Sequence, residues 1–166
     1  MGDTTLRELV HGKGAHVDPV ACVEDISAEM AARTVPDYPH SIWQIVEHMN
    51  YWMDYDLSKI AGENRPYPDK AIEGWPTHPN PAAEAWRATT RRFADLLTRL
   101  ARLAESDSSE LDRQVQNVGS PKSPRESTVH AMLWQIAAHN SYHAGQIALL
   151  RRQFGDWPPE RGGDTW

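Results

Sequence analysis

Apolar residues recur at helical spacing in four segments of the chain. The segments cover about residues 18–33, 41–61, 80–105 and 128–154. Prolines and glycines crowd the connections after the second and third segments, and these residues disfavour regular structure. Four helices of similar length, each burying one apolar stripe, predict an all-α fold in the form of a four-helix bundle.

Residues typical of helix ends bound these segments. Asp18, Ser41 and Asn80 are N-cap candidates, and a proline suited to the first helical position follows Asp18 and Asn80. Gly62 and Gly155 follow the second and fourth segments, as helix-stopping glycines do. The second segment therefore has both a start and a stop signal, whereas the first and third have a start signal and the fourth a stop signal.

Three shorter stretches complete the prediction. A turn of helix is expected at residues 4–10, and "RQVQNV" at 113–118 alternates weakly, which predicts a short extended piece. The tail "GDWPPERGGDTW" at 155–166 cannot be helical, and its two tryptophans predict that it packs back onto the body.

The fourth segment places two histidines on its apolar face. His139 and His143 lie four residues apart in "HNSYHAGQIALL". Because a helix advances about 100° per residue, both fall on the stripe that faces the bundle interior. This stripe contains Met132, Ile136, Ile147, Leu150 and Phe154. Burying two imidazoles without partners is costly, so their placement needs a reason.

The second segment offers a third imidazole. His48 flanks the apolar stripe of that segment, next to Ile45 and Trp52. If the second and fourth helices are neighbours, His48 reaches the pair formed by His139 and His143. An i, i+4 histidine pair joined by a third histidine is typical of a transition-metal site, and imidazole suits Zn, Ni, Fe and Cu. The alternative is that these histidines are structural and bond to backbone carbonyls or solvent.

The remaining histidines and the single cysteine receive no ligand role. The five other histidines lie in loops or off the stripes; they are His11, His16, His40, His78 and His130. His40 and His78 sit beside prolines and are candidates for the mouth of a cleft. Cys22 lies on the pattern of the first segment and is interpreted as a buried small hydrophobe rather than a nucleophile.

Several side chains flank the three histidines and are candidates for holding the rings or touching a substrate. They are Gln44, Tyr51, Trp52, Tyr55, Gln135 and Gln146. An equally good interpretation makes them ordinary residues at a stripe edge. Glu47 precedes His48 but points about 100° away from it around the helix. No helix-borne carboxylate is predicted to join the site. No general base is therefore assigned, which weakens a hydrolase interpretation.

Composition narrows the class of protein. The chain has 166 residues, which fits a single domain over residues 1–166, and its formal net charge of −6 argues against a nucleic-acid partner. Its apolar runs are too short for a bilayer span, and "MGDTTLRELV" lacks the features of a signal peptide. One cysteine cannot form an internal disulfide, so we expect a cytoplasmic protein.

The stretches "PHSIWQIVEHMNYW" and "HNSYHAGQIALLRR" together resemble the DinB/YfiT-like superfamily of metal-binding four-helix bundles. The resemblance covers nearly the whole chain. It implies an up-down-down-up bundle with a long crossover between helices two and three, and commonly a homodimer. It also implies one divalent metal on His48, His139 and His143, with Ni or Zn favoured and Fe or Mn as alternatives.

Three neutral ligands leave a metal its full charge and an open coordination position, as in catalytic sites. Such a centre activates a water or a thiol. The superfamily resembled includes thiol S-transferases, a mycothiol-dependent isomerase and proposed hydrolases. The leading hypothesis is therefore a metal-dependent thiol S-transferase or hydrolase acting on a small molecule, with a low-molecular-weight thiol as a possible partner. The alternative is a non-catalytic metal-binding or stress-response protein with a structural metal.

Two irregular segments, at about 74–81 and 157–166, are long and rich in tryptophan and proline. Long ordered loops in a compact domain are often functional, so we expect one or both to border the cleft. Trp75 and Trp157 serve equally well as covers for the core.

Overall fold

The computed structural model describes residues 4–77, 81–120 and 122–162, and this part of the chain is mostly helical. The helices are α1 (Thr5–Val10), α2 (Ala28–Ala32), α3 (Ile42–Ile60), α4 (Ala83–Leu103), α5 (Ser108–Leu111) and α6 (Val129–Gln153). A 3₁₀ turn spans Ala71–Gly74, and two short strands, β1 (Gln114–Val115) and β2 (Ser127–Thr128), pair antiparallel.

Helix α3 follows the prediction from its capping residues. The Ser41 hydroxyl accepts the Gln44 backbone N–H at 3.3 Å, and the Gln44 side chain accepts the Ser41 N–H at 3.0 Å, which completes a capping box. The helix ends just before Gly62, whose φ of 82° suits glycine. Its apolar face is fully buried at Ile45 and Met49.

Helices α4 and α6 also match the predicted segments closely. The Thr128 hydroxyl caps α6 by accepting the Ala131 N–H at 3.1 Å, and the helix ends before Gly155, whose φ is 74°. Helix α4 begins at Ala83, a few residues later than expected. The predicted cap, Asn80, lies outside the described residues.

The prediction of a continuous helix over 18–33 is wrong. Residues 19–25 form turns, and only α2 is helical in this segment. The Asp18 side chain accepts the Val20 N–H at 2.8 Å, a local bond that competes with helix formation. The Cys22 carbonyl accepts a hydrogen bond from Arg151 of α6 at 2.9 Å instead of a helical partner. Tertiary contacts thus override the local periodicity.

The long helices α3, α4 and α6 form the framework, and the short helices α1 and α2 pack against it. Helix α3 packs against both α4 and α6, α1 contacts α4 and α6, and α2 contacts α3 and α4. One buried apolar cluster runs through all of these helices except α5. The pairing of α3 with α6 is the contact that matters for the site.

The shorter predicted stretches can be compared in the same way. The turn of helix expected at 4–10 is α1, and the extended piece expected at 113–118 contains β1. Trp157 packs against the core, and the Arg161 guanidinium bonds Glu24 at 2.8 Å, so the described part of the tail folds back onto the body. Trp166 lies outside the described residues. Within the described ranges, every helix is too short or too polar to cross a bilayer.

Candidate metal centre

The contact between α3 and α6 brings three histidines to one point. His48 of α3 and His139 of α6 have their Nε2 atoms 3.2 Å apart, and His143 Nε2 lies 3.2 Å from His139 Nε2. One nitrogen from each ring lies within 4.8 Å of the others. The predicted convergence of these three imidazoles is therefore present.

Hydrogen bonds on the opposite side of the rings set their tautomers. The Gly74 carbonyl oxygen lies 2.8 Å from His48 Nδ1, and the Gln146 side-chain oxygen lies 2.6 Å from His143 Nδ1. His139 Nδ1 has a longer contact of 3.4 Å with the side-chain oxygen of the next residue. Because an oxygen can only accept, these contacts favour the tautomer with the proton on Nδ1 and the lone pair on Nε2.

Burial keeps these rings uncharged. Desolvation, reinforced by the neighbouring imidazoles, lowers the pKa of His48, His139 and His143 to about 4 each. The rings are thus neutral near pH 7, which is the form that binds a metal.

The spacing of the nitrogens fits one shared ion. Two nitrogens 3.2 Å apart, each about 2.1 Å from a common metal, subtend roughly 100° at that metal. This angle lies between octahedral and tetrahedral values. Among the residues that the structure describes, no fourth His, Cys, Asp or Glu joins His48, His139 and His143. The protein ligands therefore leave at least one position open.

A stack of three rings forms one wall of the centre. Trp75 lies parallel to His48, with centroids 3.8 Å apart, and parallel to His40 on its other face at 3.6 Å. The 3₁₀ turn before Trp75 delivers the Gly74 carbonyl to His48. The described part of the 74–81 segment thus borders the site, whereas His78 lies outside the described residues.

A side chain at position 74 would crowd this wall. A Cβ there would lie 3.2 Å from Trp52 Nε1 and 3.5 Å from His48 Nδ1. Glycine therefore allows the backbone to approach the ring closely enough to accept its proton.

The flanking residues singled out from the sequence separate into different places. Gln146 holds His143, and Trp52 meets His48 edge-on with centroids 6.4 Å apart. Gln44 is used by the capping box of α3. Tyr51 lies under the Arg65 guanidinium, 5.1 Å from its ring centre. The others, Tyr55 and Gln135, line a neighbouring cavity.

That cavity, of about 120 Å³, lies directly beside the centre, because His139 is part of its wall. Asp56 also lines it, so a helix-borne carboxylate lies in the neighbouring cavity, although it does not join the three histidines themselves. Burial raises the Asp56 pKa to about 7, against the opposing charge of Arg125. The spacing of four residues between His48, Trp52 and Asp56 on α3 was the pattern that could have found it.

Four of the residues that received no ligand role from the sequence bond elsewhere or lie in the core; they are His11, His16, Cys22 and Glu47. Glu47 faces α4, where it accepts a hydrogen bond from Thr89. Cys22 is fully buried, and burial raises its pKa to about 12, which suits a small hydrophobe and not a nucleophile. His16 bonds Ser141 at 2.7 Å, and His11 bonds Asp18 at 3.1 Å.

Comparison with known protein families gives a match. The family model of the DinB superfamily matches residues 19–147, which is more than half of the chain and includes all three histidines. No curated protein matches the chain.

Proposed function

The chain belongs to the DinB superfamily, and from this premise we propose that it is a metal-dependent enzyme acting on a small molecule. His48, His139 and His143 would hold one divalent transition metal. The reaction would be attack by a water or a thiol on an electrophilic substrate, as in a hydrolase or a thiol S-transferase.

One observation carries the proposal: the Nε2 atoms of three imidazoles converge, and the oxygens beside their Nδ1 atoms favour the tautomers that leave a lone pair on each Nε2. Each Nδ1 is engaged by an oxygen, and the three Nε2 atoms face one another at hydrogen-bonding distances. Three acceptors without a donor repel each other, and a cation removes the repulsion. A hydrogen-bonded structural cluster would instead pair donors with acceptors.

The donor set favours particular metals. Imidazole ligands suit zinc, nickel, copper and iron, whereas carboxylate and water ligands suit magnesium and manganese. We therefore favour nickel or zinc, with iron as an alternative; manganese is a weaker alternative because it suits imidazole ligands less well. When bound, such an ion lowers the pKa of a water or thiol that completes its shell.

The chain's own residues orient and enclose the centre. The Gly74 carbonyl and the Gln146 side chain fix two of the rings, and partners of this kind commonly raise metal affinity. Trp75 covers one face of His48 and excludes water from that side. The cavity beside His139 is the side on which a substrate can approach.

The first experiment is elemental analysis of protein purified without a metal-affinity column. We expect about one transition-metal ion per chain, by the ligand set of three. The cobalt-substituted protein is then titrated with low-molecular-weight thiols while its visible spectrum is followed. A spectral change in the native protein that is absent in His139→Ala supports an open site.

A centre whose spectrum never responds to thiol, carboxylate or pH contradicts the enzyme proposal. The metal would then be structural, as in the non-catalytic alternative. Assays of hydrolysis and of thiol transfer on electrophilic substrates separate the two reaction types.

We propose further that α1 and α2 together take the place of the first helix in an up-down-down-up DinB bundle. Their contacts with the other helices support this assignment. The connection from α3 to α4 would be the long crossover.

We also propose a homodimer. Trp134, Tyr142 and Leu149 are exposed by 50%, 66% and 58%, and they lie within about 80° on the outer face of α6. Sedimentation of the native protein and of Trp134→Lys tests this; an unchanged monomer in both contradicts it.

A further inference from the structure

Two buried polar side chains in the cavity beside the metal centre make no hydrogen bond with any residue that the structure describes. The Tyr55 side chain is 1% exposed, and its hydroxyl has no hydrogen-bond partner in the described part of the chain. Asp56 is 8% exposed, and within the same ranges its carboxylate makes no hydrogen bond or ion pair. Both residues line the cavity. Leaving such groups unpaired is costly, so their placement points to a ligand that completes them.

The cavity walls favour a positive group near Asp56. The rings of Trp52, Tyr55 and Tyr67 contact one another, with centroids 5.5 to 5.8 Å apart. The faces of aromatic rings are electron-rich and attract cations, and a buried carboxylate among them adds to that attraction.

The rim of the cavity carries the opposite charge. Arg125 lines the cavity but is exposed, and the one hydrogen bond of its guanidinium within the described ranges is a long contact of 3.4 Å with Gln135. It forms no ion pair with Asp56 among the described contacts, although the two charges face the same space. Each charge is therefore available to a separate group of a ligand.

We propose that the cavity binds a small zwitterion of the amino-acid class, with its ammonium group at Asp56 and its carboxylate at Arg125. The substituent between the two charges would face His139. This assignment rests on the proposed function for its catalytic meaning, because it places the substrate beside the metal. It does not depend on the metal for the binding itself.

Other ligand classes fit less well. A neutral apolar molecule would leave Asp56 and Tyr55 unpaired. A simple anion would be attracted by Arg125 but repelled by the carboxylate. An amine alone would pair with Asp56 inside the cavity and leave Arg125 at the rim without a ligand group. Burial raises the Asp56 pKa to about 7, a cost that a bound ammonium group relieves.

The test is calorimetric titration of the protein, with and without added zinc, using probes of defined charge. Glycine, β-alanine and 4-aminobutyrate are the zwitterions, and their charge separation increases in that order. Butylamine and butyrate are the singly charged controls. We expect one of the zwitterions to bind more tightly than butylamine, and butylamine more tightly than butyrate.

Variants separate the two charges. Because a hydrogen bond to a charged group is worth about tenfold or more in affinity, Asp56→Asn should weaken zwitterion and amine binding by that factor. Arg125→Met should weaken zwitterion binding and leave butylamine unchanged. Asp54→Asn is the matched control, because Asp54 lies on the same helix but pairs with Arg65 at 2.9 Å.

A second measurement guards against a merely structural role of Asp56. Since the unpartnered carboxylate is costly, Asp56→Asn should leave the ligand-free protein as stable as the native one or more stable. Binding of butyrate as tight as that of the zwitterions, or an Asp56→Asn variant with unchanged affinities, overturns the proposal. Loss of zinc binding with zwitterion binding retained would overturn only the proposed function.

Discussion

Helix α6 carries two buried polar clusters that differ in how their atoms are paired. Near its end, Arg151 is 1% exposed and donates to Asp25 at 2.7 Å, to the Cys22 carbonyl at 2.9 Å and to the Asp156 carbonyl at 2.9 Å. In its middle, the Nε2 atoms of His139 and His143 lie beside each other and beside His48 Nε2 of α3, so that three lone pairs face one another. In the first cluster each nitrogen of the Arg151 guanidinium has an acceptor, whereas the second cluster is complete only with a cation.

This difference separates a structural role from a binding role. The Arg151 cluster ties α6 to the turns at 19–25 and to the start of the tail, so its bonds hold the fold. Without an ion, the histidine cluster does little to hold α3 and α6 together. Burial of its rings is unfavourable for their charged form, which lowers their pKa values. Buried polar groups stabilise a fold when donors meet acceptors and create a site when they do not.

Removing Arg151 from its buried cluster should cause the largest change in the free energy of unfolding. Arg151→Met leaves the Asp25 carboxylate without its main partner, and removing one member of a buried ion pair costs about 3–5 kcal/mol. Urea unfolding measures the change. The control, Arg91→Met on the exposed face of α4, should change the free energy of unfolding by less than about 0.5 kcal/mol. A loss below about 1 kcal/mol in Arg151→Met would refute the structural role.

Removing one histidine of the metal centre should lower the free energy of unfolding only when metal is present. Metal at about 1,000 times its dissociation constant should stabilise the native protein by about 4 kcal/mol, and His143→Ala should abolish that increment. Thermal unfolding with and without zinc or nickel measures it. His130→Ala, exposed on the same helix, is the control and should keep the full increment. The same increment in both variants would remove His143 from the site.

Acid should expose the cost of burying the rings in metal-free protein. The folded pKa of each is about 4, below the ordinary value of 6.5. As the pH falls, the histidines of the unfolded chain therefore bind protons before those of the folded protein. The free energy of unfolding is unaffected above about pH 6.5 and decreases as the pH falls toward 4. The slope is at most about 1.4 kcal/mol per pH unit for one ring. Denaturant unfolding across this range should give a shallower slope for His139→Gln, and an equal slope would contradict the burial argument.

The smallest effect is expected from crowding the wall around the centre. Gly74→Ala would place a Cβ 3.2 Å from Trp52 Nε1 and 3.5 Å from His48 Nδ1, so the carbonyl contact to His48 should loosen. We expect metal affinity, measured by competition with a chelator, to fall by less than about tenfold. An unchanged affinity would show that the wall yields without cost to the centre.

Gly145→Ala is the matched control for that substitution. A Cβ at position 145 would have no neighbour within 4 Å. Because alanine favours helices over glycine, the variant should gain about 0.5–1 kcal/mol of stability with the same metal affinity.

Much of the framework is local in origin. The Ser41 capping box and the stopping glycines define the ends of α3 and α6 within a residue or two of the predicted limits. These features depend on residues within a few positions of one another, so a single segment contains the necessary information. The same holds for the face shared by His139 and His143, which follows from the helical repeat alone.

The sequence by itself therefore determined the long helices, their buried faces and the three histidines as candidates. Only the tertiary structure decided that α3 lies against α6, that Gly74 reaches His48, and that Asp56 shares a cavity with His139. It also broke the periodic segment at 18–33, because Arg151, far along the chain, takes the Cys22 carbonyl and the Asp25 carboxylate. Periodicity records which face of a helix is buried, whereas the partner of that face depends on packing between residues distant in sequence.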